Sequence, residues 1–216
     1  MSKFKKILPL FLLVSFIVAG AFYVSGLMSA RLSTGVEEEK WTLEGQNENM
    51  TVTTEEAGEM LMPDLDRKIV VPDYFPLEAK QIAKEKINAL TRDIKDNPDY
   101  FNGWVELGIY RKMINDYEGT RDIWEYASFI RPQNSISFAN LGDLYGYYLK
   151  EPQKAEANYK KAIENGPEQV MVYYNFHKFY IDVLNDTAKA RAVLQQGISA
   201  NPDNSDTLKQ ALELLP

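Results

Sequence analysis

The sequence predicts an all-α protein in which a short array of helical hairpins follows one membrane-spanning helix. Prolines recur at positions 98, 132, 167 and 202, at intervals of 34, 35 and 35 residues. Between them, apolar residues lie three and four positions apart, which places them on one face of a helix. A third observation is the uncharged apolar run from Ile7 to Met28 near the N-terminus, which is long enough for a transmembrane helix.

Composition and charge exclude several classes of function. The 216 residues carry a formal net charge of −7, whereas a nucleic-acid ligand requires a basic stripe. Without cysteine there is no disulfide, thiolate nucleophile or Cys-ligated metal. The one histidine, His177, falls at a packing position of a predicted helix, and we interpret it as a packed, hydrogen-bonded residue and not as a catalytic base. We therefore predict a protein that is not an enzyme and uses no metal or cofactor.

The apolar run at 7–28 is about 33 Å long as an α-helix, enough to cross a bilayer. Lysines precede it in residues 1–6 and glutamates follow it, so the positive-inside rule places the N-terminus in the cytoplasm and the rest outside. The alternative is a signal peptide cleaved near residues 29–30. Because the run is longer than such peptides have, we expect a retained anchor and a single-pass membrane protein with an extracytoplasmic repeat domain.

Two segments of different character connect this helix to the repeats. Residues 29–62 are rich in Glu, Thr, Gly, Asn and Ser without an apolar face, which predicts an acidic flexible linker. Residues 63–76 hold apolar residues between three prolines. Since proline disfavours a helix there, we predict an extended strap that lies on the folded domain.

Each unit between the prolines repeats one arrangement of large and small residues. The positions are Trp104, Leu107, Gly108, Thr120, Trp124 and Ala127, then Phe138, Leu141, Gly142, Tyr145, Ala155, Tyr159 and Ala162, then Tyr173, Phe176, His177, Tyr180, Ala190, Leu194 and Gly197. The small residues allow two helix backbones to approach closely. Asn115 and Asn185 fall between the two helical segments of their units, where asparagine tolerates the left-handed conformation that ends a helix.

Four stretches of the sequence carry a family resemblance. They are WVELGIY and NDYEGTRDIWEYA in the first unit, and FANLGDLY and AEANYKKAIENGP in the second. Over residues 97–202 the chain resembles the tetratricopeptide repeat family, whose pattern is W-x2-L-G-x2-Y, then A-x3-F-x2-A, then P. The resemblance implies a right-handed superhelix of about three repeats, at 97–132, 133–167 and 168–202. The chain departs from the pattern at Arg111, which replaces the first tyrosine, and at one extra residue before the inter-helix turn of the second and third units.

Helices on either side of the repeats are expected to cap the array. Residues 77–96 keep their apolar residues on one stripe, and residues 203–216 supply a second stripe, with Ser205 or Asp206 as the N-cap of a helix that runs to Leu215. A repeat array needs such ends, because each unit buries its apolar face only against its neighbours.

The resemblance also implies that a ligand binds in the concave groove formed by the first helices of successive repeats. Positions offset by roughly 100° from the core positions should line that groove. These predicted groove residues are Val105, Ile109, Met113, Ile136, Asn140, Asp143, Tyr147, Met171, Tyr174, Asn175 and Lys178. The lining is mainly apolar and aromatic, which favours an apolar or amphipathic peptide segment. The two asparagines could hold ligand backbone amides, and Lys178 as the one cation disfavours a carboxylate-ended ligand.

Two functions remain open from the sequence. The first is a non-catalytic, membrane-anchored scaffold that binds a protein or peptide partner in this groove and does not bind nucleic acid. The second is an accessory or assembly subunit of a membrane-associated enzyme complex in envelope biogenesis or secretion. Self-association is also open, because a second copy of the protein, or the strap at Ile69–Phe75, could fill the groove.

Overall fold

The computed structural model describes residues 60–215, and these residues form eight α-helices and no strand. The prediction of an all-α fold is confirmed for this part of the chain. The helices are α1 Leu77–Asp96, α2 Phe101–Met113, α3 Tyr117–Ile130, α4 Ser135–Asp143, α5 Pro152–Asn165, α6 Val170–Asp182, α7 Thr187–Ala200 and α8 Asp206–Glu213, with α4 continued by a π-helix at Leu144–Leu149.

The prolines of the interval pattern mark helix ends. Helices α1, α3, α5 and α7 each end two residues before a proline. Proline has no N–H to donate and disfavours the helical conformation in the residue before it, so each of these helices must end there. The first helices α2, α4 and α6 then begin within four residues of the prolines.

Neighbouring helices pack in sequence around one continuous apolar core. The pairs α2 with α3, α4 with α5 and α6 with α7 are joined by short turns and pack closely, while α1 packs on α2 and α8 packs on α7. Small residues set the distance within a pair. A Cβ on Gly108 would lie 2.0 Å from Nε1 of the Trp124 ring, so only glycine allows α2 and α3 to approach this closely.

The turns between paired helices use the left-handed conformation. Asn115 and Asn185 have φ of 65° and 53°, which confirms the role predicted for these asparagines. The equivalent residue of the middle pair is Lys150, with φ of 60°. Nothing in its side-chain type indicated this conformation, because lysine carries the full Cβ penalty in the left-handed region.

The second and third units accommodate their extra residue in the closure of the inter-helix turn. In the first unit the turn closes with a bond from Asp116 N to Arg111 O at 3.0 Å, five residues apart. In the second it closes from Glu151 N to Tyr145 O at 2.9 Å, six residues apart. The third unit closes with the same spacing, from Asp186 N to Tyr180 O at 2.9 Å, without a π-helix. The six-residue closure therefore takes up the inserted residue, and in the second unit the helix before it is also widened to the π form.

Replacing Lys150 with asparagine is expected to raise the free energy of unfolding by about 0.5–1 kcal/mol, because asparagine adopts the left-handed conformation at lower cost. Urea denaturation followed by circular dichroism measures this. The reciprocal change Asn185→Lys, in the equivalent turn, should lower the same quantity by a similar amount. If both variants were as stable as the wild type, left-handed strain would not limit these turns.

The two ends of the described region differ from a simple continuation of the repeats. The final helix α8 starts at Asp206, after Ser205, and ends at Glu213, so it is shorter than the predicted helix reaching Leu215. Leu208 anchors it with no exposed surface. At the other end, the strap contains no helix or strand, and its Leu65 and Phe75 side chains are buried.

The transmembrane helix predicted at 7–28 lies outside the described residues, and so does the predicted linker at 29–62 except for its last three residues. Within residues 60–215, every helix is too short or too polar to cross a membrane.

Candidate partner-binding site

The predicted groove residues lie on the three first helices. Val105, Ile109 and Met113 are on α2, Ile136, Asn140 and Asp143 on α4, Tyr147 on the π-helix, and Met171, Tyr174, Asn175 and Lys178 on α6. Helix α4 packs against α6, which brings the second and third sets side by side. Lys112, on α2 next to Met113 of the first set, links that set to the second, because its charge acts on Asp143.

Exposure differs widely among these residues. Met171 is 40% exposed, Lys178 is also exposed, and most of the others are half-buried. Val105 is the exception, since only 3% of it is exposed. Ile109, Met113, Tyr147 and Tyr174 pack partly against the core, so their outer surfaces alone are open to a ligand.

Asp143 is a partly desolvated carboxylate at the centre of the set. The Tyr159 hydroxyl, which belongs to α5, donates a hydrogen bond to it. Burial raises the pKa of Asp143, and the hydrogen bond from Tyr159 and the positive charges of Lys112 and Lys178 only partly oppose that rise. The ionised carboxylate is therefore held at a cost in stability.

Lys112 is a second cation beside this carboxylate. Its Nζ lies 5.5 Å from the centroid of the Trp124 ring and 5.4 Å from that of Tyr148, so aromatic faces stabilise the ammonium group. Burial lowers the pKa of Lys112, and the charge of Asp143 opposes this. The sequence pattern predicted the neighbouring Met113 for the groove but not Lys112. The aromatic rings that face Lys112 lie on α3 and on the π-helix, and residue spacing alone could not assign them to it.

Two half-buried asparagines stand at equivalent positions of α4 and α6. Asn140 and Asn175 are 35 residues apart, the repeat interval, and both are partly exposed. Neither side-chain amide forms a hydrogen bond to the described part of the chain. Each amide has two N–H donors and one carbonyl acceptor to satisfy, so both are available to a ligand.

One of the predicted groove residues, a tyrosine, links the second unit to the third. The Tyr147 hydroxyl donates to Asp182 on α6 at 3.2 Å. Burial and the charge of Asp182 raise the pKa of Tyr147, so the phenol stays protonated and acts as a donor.

His177 is buried, with 7% exposed, and its ring lies edge-on to Tyr174 at 4.9 Å. The predicted packing is therefore found. Its Nδ1 has no hydrogen-bond partner of good geometry in residues 60–215. Burial lowers the pKa of His177, and interactions with the backbone of Tyr174 and Tyr173 oppose this, so the hydrogen bond of this residue stays a prediction.

The polar contacts of the strap fall outside the predicted groove residues. They reach Lys80, Lys95, Arg111, Asn115 and Asp116. These residues belong to α1, the end of α2 and the turn that follows it. Within the described residues, the strap's hydrogen bonds and ion pairs thus leave the α4 and α6 surface unoccupied.

Replacing Asp143 with asparagine is expected to raise the free energy of unfolding at neutral pH by about 1 kcal/mol, because it removes a buried charge while keeping an acceptor for Tyr159. The pKa of Asp143 in the folded protein is raised above its ordinary value of 3.8. The wild type therefore loses stability as the pH rises from 3.8 to the pKa of the folded state. The gain in the variant should therefore grow over that interval and be constant above it. Thermal melts from acid to neutral pH measure this.

The matched control is Asp93→Asn, which changes an exposed carboxylate on α1 and should have little effect on the free energy of unfolding at neutral pH. Equal effects of the two substitutions would contradict the assignment of Asp143 as the desolvated group.

Within the described residues, no cluster of three or more His, Asp or Glu side chains is arranged to hold a metal ion. Comparison of the chain with protein-family models and with curated proteins finds no match.

Proposed function

We propose that this chain is a non-catalytic scaffold of the tetratricopeptide type, anchored in a membrane by residues 7–28, with its repeats outside the cytoplasm. Its role is to bind an apolar or amphipathic segment of a partner protein across the first helices of a right-handed superhelix. The observation that carries this proposal is the pair of partly exposed amides at Asn140 and Asn175 without a hydrogen bond to the described part of the chain, beside the exposed Met171.

The asparagines favour a peptide over a small apolar molecule. An apolar ligand that covered these amides would remove their hydrogen bonds to water without replacing them, which is costly. An extended or helical segment offers N–H and C=O groups at regular intervals. Two amides one repeat apart can bind two points of the same backbone, which fixes the position of the segment without depending on its sequence.

The neighbouring side chains define which segment fits. Ile136, Met171 and Tyr174 offer apolar surface, and methionine and tyrosine are frequent in protein-binding surfaces because they adapt to or pack broadly against a partner. Asp143 and Lys178 add opposite charges next to that surface. A segment with one apolar face and one mixed polar face satisfies both parts, and this is the amphipathic ligand we propose.

The double substitution Tyr174→Ala and Asn140→Ala tests the proposal. Crosslinking in membranes, followed by mass spectrometry, should show partner capture reduced at least tenfold, since each lost anchor of this kind is worth about 1–2 kcal/mol. Helicity and melting temperature should remain nearly unchanged, because both residues are partly exposed.

The control replaces the same residue types elsewhere: Tyr100→Ala and Asn88→Ala, both exposed and outside the predicted set, should leave capture intact. If the groove variant unfolds, its residues belong to the core. If it folds and captures the partner normally, the ligand docks on another surface.

A further inference from the structure

Asp116 connects the strap to the first helical pair. Both of its carboxylate oxygens accept from Arg67 Nε, at 2.9 and 3.0 Å, and one of them accepts from Arg111 Nη1 at 3.0 Å. The same side chain accepts from Gly119 N at 3.1 Å and so caps α3. Burial would raise the pKa of Asp116, but the hydrogen bonds from Arg67, Gly119 and Arg111 and the charge of Arg67 lower it overall.

Arg111 binds the backbone of the strap. Its guanidinium donates to the carbonyl oxygens of Arg67 at 2.9 Å and of Lys68 at 3.3 Å. The residue is only 1% exposed, and its Nε has no hydrogen-bond partner in residues 60–215. A buried guanidinium with an unsatisfied N–H is costly, so detachment of the strap would return this group to water and offset part of the lost contacts.

The strap is held mainly by its side chains. Leu65 and Phe75 are buried and Ile69 and Val71 pack partly against the core, whereas Val70 is 61% exposed. A solvent-open pocket of about 430 Å³ is lined by residues of the strap and of the turn after α2, including Ile114. Within the described residues, the strap backbone is joined to a helix backbone only by the bond from Lys80 N to Pro76 O at 3.0 Å, where α1 begins. A segment with so few backbone–backbone hydrogen bonds opens locally at a lower free-energy cost than the helices do.

We propose that residues 63–76 are a releasable strap, fastened to the first helical pair by the charge of Asp116. The strap is the segment through which everything before residue 60 joins the helices. Release of its 14 residues would lengthen that connection by up to about 45 Å, at roughly 3.3 Å per extended residue, and would uncover Arg111 and Ile114. The strap therefore sets how far the binding domain can reach from its N-terminal attachment.

Hydrogen exchange of the full-length chain in mild detergent, read by mass spectrometry, tests this with Asp116→Asn. Asparagine keeps an acceptor for Gly119 and remains a good N-cap, but it loses the charge that pairs with both arginines. In peptides covering the strap, the amides of Arg67 and Phe75 are hydrogen-bonded. These peptides should exchange about tenfold faster, because losing a charged hydrogen bond lowers the free energy of opening by a corresponding amount. Peptides from α4 to α7 should be unchanged.

Two variants complete the test. Arg67→Gln removes the exposed partner of the same ion pair. It should raise the hydrogen-exchange rate of the strap by a similar factor and leave the exchange of the helices unchanged. Asp186→Asn changes the equivalent cap of α7, where the side chain accepts from Lys189 N at 2.9 Å, and should leave the strap unchanged. The proposal is overturned if the strap exchanges as slowly as the helices in the wild type and in every variant. It is also overturned if the wild-type strap exchanges like unstructured chain, or if Asp116→Asn raises the exchange rate of every helix alike.

Discussion

Replacing Gly108 with alanine is expected to lower the free energy of unfolding by about 3 kcal/mol, at the upper end of the range for an overpacked core. The new Cβ would lie 2.0 Å from Nε1 of Trp124. That ring is fully buried and is fixed by its hydrogen bond to the Val105 carbonyl at 3.0 Å, so α2 and α3 must move apart. Urea denaturation monitored by circular dichroism measures the loss.

Gly103→Ala is the matched control on the same helix. Its Cβ would meet the Tyr100 ring at 2.4 Å, but that side chain is 37% exposed and can turn away. The contact with the buried Ile94, at 3.2 Å, needs a shift of only a few tenths of an ångström. Alanine is also the better helix former, so the net change should stay below about 1 kcal/mol. If Gly108→Ala were as well tolerated as Gly103→Ala, close approach of α2 and α3 would not determine their packing.

Replacing Phe179 with alanine is expected to have the other large effect, a loss of about 4 kcal/mol. Phe179 on α6 has no exposed surface, lies against Gly146 of the π-helix and packs with its ring centroid 5.6 Å from that of Tyr159. It therefore fills the boundary between the second and third helical pairs, where a cavity would weaken the contact that joins them.

Phe129→Ala provides the comparison, since this phenylalanine on α3 is 46% exposed and its loss should cost less than about 1 kcal/mol. The wild type should unfold in one transition detected equally by helical content and by tryptophan fluorescence. Two separate transitions in the wild type, or equal losses in the two variants, would contradict a core shared between neighbouring pairs.

The features of the fold that depend on local chemistry could be predicted from the sequence. Helix ends before prolines follow from the missing N–H, and the turns at Asn115 and Asn185 follow from the tolerance of asparagine for positive φ. The left-handed Lys150 could not be predicted, because the closure of the turn imposes that conformation against the preference of lysine. The π-helix before the turn of the second unit depends in the same way on the packing of α4 and α5.

The candidate site was less predictable, because its chemistry depends on long-range partners. Arg111 could be recognised as a departure from the repeat pattern, but its partners Arg67 and Lys68 lie 44 and 43 residues earlier. Lys112 sits between aromatic rings of two other elements. The role of Tyr159 as donor to Asp143 also requires knowing which side chain of α5 reaches α4.

Photo-crosslinking from a single position tests the central claim, that a partner segment binds across α4 and α6, most directly. A benzophenone amino acid in place of Tyr174, on the proposed binding surface, is compared in membranes with one in place of Gln196, exposed on the second helix α7. We expect a crosslink from position 174 alone, mapped by mass spectrometry to an apolar or amphipathic segment of another protein. Equal crosslinking from both positions, or a crosslink from 174 to residues 63–76 of the chain itself, would contradict it.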